Sequence, residues 1–170
     1  MKYDKNGALL ETRIPGLPDP KSGKVRDVFD LGDKLLMVVS DRISAFDVIL
    51  PTGVPDKGKV LNQLSLFWLD FLGVKNHLIT ADVDEYPAAL QVAKDDLRGR
   101  SMLVKKVNMV EVECIARGYL TGSGWKEYQK SGTVNGQKLR EGYQNASKLD
   151  SRSTTLFSPV YSCTSNSLYF

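Results

Sequence analysis

The sequence predicts an α+β protein built on a mostly antiparallel sheet: an N-terminal lobe followed by the beginning of a second α+β lobe. Three observations carry this. Short Val/Ile/Leu-rich runs at 24–31, 34–40 and 46–50 are separated by tight polar connections. One long apolar pattern of helical period lies between Lys59 and Gly73. Strand-like runs then return at 77–80, 102–107 and 110–116, so strands and helices are mixed without the strict alternation of a parallel fold.

Taken in order, residues 1–22 form a lead-in punctuated by Pro15, Gly16, Pro18 and Pro20, expected to lack regular structure. KVRDVFDL and KLLMVVS are joined at Gly32-Asp33 and read as a hairpin, with FDVIL as a third strand. Val60, Leu61, Leu64, Phe67, Trp68, Phe71 and Leu72 then fall on one helical face, expected to pack on the sheet. HLIT (77–80) reads as a strand, 88–97 as a short helix, and MLVKKV (102–107) as another strand. VEVECIA (110–116) alternates as a half-exposed strand does, and 122–130 reads as a helix opened by Ser123 as N-cap.

Composition narrows the classes of function. The chain has 170 residues, 42% of them hydrophobic and 25% charged, which excludes wholesale disorder. Its net charge of +3 is too weak a bias for a nucleic-acid binder, yet suits anionic small molecules. No apolar run approaches the roughly 20 residues a membrane helix needs. The start MKYDKNGALLETR also lacks a signal peptide's apolar stretch, so a cytoplasmic protein without membrane contact is expected. Cys114, Cys163 and the single His77 offer neither zinc-ligand spacing nor a disulfide framework.

Four constellations could carry chemistry. Gly23-Lys24-Val25-Arg26-Asp27 leads a strand with cations two positions apart, which share a face in extended backbone. Such a pair can neutralise phosphate, although exposed Lys and Arg are common enough that spacing alone favours a solvated basic face. Gly53 to Val60 matches a P-loop until Val60 fails to supply the hydroxyl and Pro55 removes a backbone donor, leaving a strand-to-helix turn as the better reading. Asp41-Arg42-Ile43-Ser44-Ala45-Phe46-Asp47 places two carboxylates and a hydroxyl in one connection, equally compatible with turn chemistry and with function. Glu113 to Gly124 delivers Arg117, a glycine-containing turn and Ser123 toward one point, suited either to phosphate or carboxylate or to a plain capped helix.

In combination, GKVRDVFDLGDKLLMVVSDRISAFDVILPTGVPDKGKVLNQLSLFWLDFL, LVKKVNMVEVE and ECIARGYLTGSGWKEY, in this order, resemble the SAICAR synthetase family across 22–149. The resemblance implies a kinase-like ATP-binding N-lobe. The implied activity is ATP-dependent ligation of L-aspartate to carboxyaminoimidazole ribotide (CAIR), with magnesium. It implies that Gly23, Lys24, Val25, Arg26 and Asp27 form the hairpin over the ATP phosphates, and that Lys105, Lys106 and Met109 border adenine at the hinge. It further implies that Arg117, Gly122 and Ser123 serve the ribotide phosphate and carboxylate, while Asp41, Arg42, Ser44 and Asp47 face the cleft. Glu111 stands where a proline is common. Members of the family are often homo-oligomeric.

The resemblance also implies a division into a lead-in (1–22), an ATP-binding lobe (23–108), an incomplete substrate-binding lobe (109–150) and a tail (151–170). The Pro-Thr-Lys segment and the D-x-K-x-E-F-G signature with its magnesium carboxylates, which the family carries further on, do not occur in the sequence. Nine of the twenty tail residues are Ser or Thr, and Arg152 is its only charged residue. The tail is therefore expected to be non-native or frameshifted, and the chain a truncated N-terminal portion incomplete for catalysis. A non-catalytic nucleotide-binding module is the alternative.

Overall fold

Asp4 starts the first departure from expectation. Its carboxylate accepts from the backbone N–H of Asn6 and Ala8 at 2.8 and 3.0 Å, closing a turn between β1 (Lys2–Tyr3) and β2 (Leu9–Glu11). The lead-in is thus partly structured, and Ala8, Leu9, Thr12 and Ile14 are buried. The computed structural model describes residues 1–46, 48–108, 112–116, 118–150 and 155–159. These divide into two units, the first being Met1–Asn108 and the second beginning at Met109.

In the first unit follow β3 (Lys21–Ser22), β4 (Arg26–Asp30) and β5 (Lys34–Val39), then the two-residue strands β6 (Ser44–Ala45) and β7 (Val48–Ile49). The long helix α1 (Lys57–Phe71) leads to β8 (Leu78–Thr80), α2 (Ala88–Gln91), α3 (Lys94–Leu97) and β9 (Ser101–Lys105). The main sheet has the order β3-β4-β5-β9-β8, and every pairing is antiparallel. The strand expected over 46–50 is instead the small β6–β7 hairpin, outside this sheet. The helix expected over 88–97 is two short pieces, interrupted at Ala93 (φ −114°, ψ 15°).

Alternation divides the sheet into two faces. Phe29, Leu36, Val38 and Leu103 join Ile14, Val83, Tyr86, Leu90, Ala93 and Leu97 in one core. Each fully buried leucine there contributes about 1.5–3 kcal/mol relative to exposure. Val28, Met37, Met102 and Val104 form a second cluster on the opposite face, against which Leu66 of α1 packs.

The orientation of α1 corrects the sequence reading. Gly58 and Asn62, one helical turn apart, are its buried residues, and with Leu66 they form the stripe that meets the sheet. The Asn62 amide donates to the carbonyls of Gly99 and Ser101, both at 3.2 Å. The larger apolar stripe, expected to pack, is exposed: Phe67 by 54%, Trp68 by 52% and Phe71 by 68%. Their rings pack on one another, with centroids 5.3–5.7 Å apart. Periodicity identifies the helix and its stripe, but a glycine permits a closer approach to the sheet than any large side chain.

In the second unit, β10 (Val112–Ala116) precedes α4 (Gly122–Ser131), the hairpin of β11 (Thr133–Val134) and β12 (Gln137–Lys138), and β13 (Thr155–Pro159). Strand β13 pairs antiparallel with β10. Leu120, Val134, Tyr143 and Leu149 make a small core, flanked by Trp125 and Tyr128. Ser123 is not the N-cap of α4. Thr121 takes that position in extended conformation, and Gly122 follows at φ 57°, a left-handed value that favours glycine. No helix among the described residues is long and apolar enough to cross a membrane.

Candidate anion-binding site

The site begins at the turn between β3 and β4. Gly23 N donates to Arg26 O at 2.6 Å, so the regular strand starts only at Arg26. Lys24 therefore lies in the turn, and the shared strand face expected for Lys24 and Arg26 is not formed. Lys24 lines an open depression of about 450 Å³ with Val25, Ile43, Ser44, Phe46 and Lys57. Arg26 lines a separate, mainly apolar cavity of about 180 Å³ with Met37, Val39, Met102 and residues of α1. Burial pushes the Arg26 guanidinium pKa down from its usual value.

Behind the turn, one guanidinium gathers its carbonyls. Arg42 donates from Nη2 to Gly23 O (3.0 Å) and Arg26 O (3.2 Å), and from Nε to Lys24 O (3.2 Å). The Val25 carbonyl accepts from the Ser40 hydroxyl and the Ser40 N–H, both at 2.9 Å. All four carbonyls from 23 to 26 are thereby engaged by groups of the protein. A turn whose electronegative atoms are satisfied from behind presents less repulsion to an anion in front.

The same contacts give three expected site residues a scaffolding role. Arg42, 8% exposed, pairs with Asp27 at 2.8 Å, and Asp27 also accepts from Thr12 N at 3.3 Å. Asp41 is fully buried, its carboxylate accepting from Leu9 N (2.8 Å), Gly58 N (2.7 Å) and Arg100 Nη1 (2.9 Å). The 41–47 loop thus turns Asp41 and Arg42 inward and brings Ile43, Ser44 and Phe46 to the depression; Asp47 lies outside the described residues.

Lys105 and Lys106 sit elsewhere. Ser101 of β9 pairs with Val38, beside the turn, whereas Lys105 pairs with Lys34 at the far end of the strands. Four strand steps put these ends about 13 Å apart. Lys106 is ion-paired with Asp30 at 2.6 Å, which holds the Asp30 carboxyl below its usual pKa. Met109 and Arg117 lie outside the described residues, and Gly122 with exposed Ser123 opens α4 in the second unit. Two contributors escaped the sequence reading, Lys57 and Arg100. Lys57 lies in the P-loop-like segment that Val60 and Pro55 caused to be read as a plain strand-to-helix turn; Lys59, at the lysine position of that pattern, is paired with Asp56 at 2.8 Å.

An antiparallel sheet carrying a cation-bearing turn, braced by a buried arginine, defines an α+β lobe with a cation-lined end. The profile of the family described as SAICAR synthetase matches residues 20–161. A phosphoribosylaminoimidazole-succinocarboxamide synthase from Desulfatibacillum aliphaticivorans is 54% identical over 154 residues, covering 89% of this chain and 50% of the relative. One from Thermodesulfovibrio yellowstonii is 54% identical over 143 residues, covering 83% and 49%. Among solved structures, SAICAR-synthase from Saccharomyces cerevisiae complexed with SAICAR superposes with a TM-score of 0.77 at 42% identity, covering 84% of this chain and 51% of that one. The chain belongs to the SAICAR synthetase family, and it spans about half the length of these relatives. The family match runs past Asp150, so part of the tail expected to be foreign lies within the matched range.

Proposed function

We propose that this chain supplies the ATP-binding half of an enzyme that ligates L-aspartate to the carboxylate of CAIR, giving SAICAR, ADP and phosphate in purine biosynthesis. The observation that carries the reading is the turn at 23–26: its carbonyls are drawn inward by Arg42 and Ser40, and Lys24 stands beside an open depression. A carboxylate is a poor electrophile. Attack of its oxygen on the terminal phosphorus of ATP expels ADP and forms an acyl phosphate. The aspartate amine then attacks the acyl carbon, phosphate leaves, and the nitrogen gives up a proton.

The demand on the protein is positioning and charge neutralisation. Lys24, Val25 and the Gly23 turn hold the phosphates, while Arg26 adds charge nearby. Asp27, Asp41 and Arg42 fix these elements from behind. Lys105, Lys106 and the hinge toward Met109 receive adenine at the opposite end of the sheet, a separation of about 13 Å that suits the two ends of one nucleotide. Ser44 and Asp47 belong to the loop that faces the substrates, and Arg117, Gly122 and Ser123 bind the ribotide. The described residues contain no group of three or more His, Cys, Asp or Glu side chains able to hold a metal, and Asp27 and Asp41 are committed to arginines, so magnesium, which needs only one or two carboxylates beside nucleotide phosphates, would be held chiefly by ATP itself.

The test is a chimaera in which this chain's residues 1–150 precede the second half of the Desulfatibacillum relative, assayed with ATP, CAIR and aspartate. Aspartate-dependent SAICAR formation is expected. A folded chimaera that binds ATP but forms no SAICAR would favour a non-catalytic nucleotide-binding module.

A further inference from the structure

Lys57 opens α1, and its backbone is held by contacts independent of its side chain. Lys57 N donates to Val54 O at 3.1 Å, and the next amide, Gly58 N, donates to buried Asp41 Oδ1 at 2.7 Å. The approach of Gly58 to β5 is so close that a Cβ there would lie 2.2 Å from Val39 O. The base of Lys57 is therefore fixed to the sheet, and its side chain lines the same depression as Lys24, Val25 and Ser44.

The ammonium group of Lys57 has no hydrogen bond or ion pair among the described residues, unlike Lys59, Lys94 and Lys106, which pair with Asp56, Asp84 and Asp30. Its surroundings are short of negative charge. Burial pushes its pKa down, Asp41 opposes this, and the guanidinium groups of Arg26 and Arg42 lower it further. Asp41 is already engaged by Leu9, Gly58 and Arg100, and it makes no hydrogen bond or ion pair with the Lys57 ammonium. A partly buried cation among other cations is stabilised by a multiply charged anion.

The lining also says which anion. One wall comes from the 23–25 turn and another from the 43–46 loop, so Lys57 stands where a nucleotide's outer phosphate and a phosphoryl acceptor would meet. We infer that Lys57 is a ligand of the outer phosphate oxygens of a nucleoside triphosphate, acting with Lys24 in this depression. The inference rests on the nucleotide-binding reading above.

Calorimetric titration of the full 170-residue chain and its Lys57→Met and Lys57→Arg variants with ATP and with adenosine tests it. Lys57→Met should weaken ATP binding about tenfold or more, as loss of a charge-assisted contact does, and leave adenosine affinity unchanged. Lys57→Arg should retain most of the ATP affinity. If Lys57→Met fails to fold, as judged by its thermal melt, Lys57→Gln takes its place. A folded variant lacking the charge that binds ATP as the wild type does overturns the Lys57 role alone. A wild-type chain that binds no ATP overturns the nucleotide reading and the Lys57 role together.

Discussion

Asp41 and Arg100, 59 residues apart in sequence, meet in a 2.9 Å ion pair whose side chains are 0% and 4% exposed. The pair joins the end of β5 to the start of β9, and the other Asp41 contacts add β2 and the first turn of α1. Replacing Asp41 with alanine removes the close counter-charge of a buried guanidinium and strands two backbone N–H donors at once. Asp41→Ala should therefore lose about 3–5 kcal/mol of stability, the usual cost of breaking a buried ion pair from one side. Urea denaturation measures this, and a loss below about 1 kcal/mol would contradict a buried hub.

Arg42 predicts a different signature because its planar fork serves several acceptors at once. Lysine keeps the charge but cannot reach Asp27 and the carbonyls of Gly23, Lys24 and Arg26 together. Arg42→Lys should cost on the order of 1–3 kcal/mol. It should also weaken ATP binding, although the guanidinium stands behind the turn. Unchanged ATP affinity in the folded variant would show that the carbonyls at 23–26 need no such brace.

His77 governs the mildly acidic range, since it is the only histidine in the sequence. Burial lowers its folded-state pKa below 6.5. As pH falls through about 6.5 the unfolded chain takes up the proton first, so stability is complete above that value and declines until the folded-state pKa is passed. His77→Gln should flatten the dependence of the urea midpoint on pH between 7 and 5. An identical slope in the variant would assign it to other groups. At lower pH, Asp30, Asp56 and Asp84 add a separate loss, because lysine partners hold their carboxyls below the usual range.

The β4–β5 hairpin, α1, β8 and β9 were legible because their signals are local: strand alternation, a glycine turn and a helical period. The N-terminal hairpin was not, because Leu9 is anchored by Asp41, 32 positions away. The roles of Asp41 and Arg42 were hidden for a related reason. A charged pair in a loop has the same composition whether it meets a ligand or a buried counter-charge, and only the positions of Asp27 and Arg100 decide. The aromatic stripe of α1 announced a helix correctly but not its partner, since Gly58 and Asn62 make the close approach. Lys57 was obscured by the failed P-loop match, although a cation directly before the glycine that seats a helix is a signal the sequence does contain.

Whether the cation-lined end of the sheet serves a nucleotide is measured most directly by titrating adenosine, AMP, ADP and ATP into the chain at two salt concentrations. The expected result is affinity that climbs with each added phosphate and falls as salt rises, because the turn and its neighbours supply charge rather than base recognition. Equal affinity for adenosine and ATP, or no binding of ATP, would contradict it.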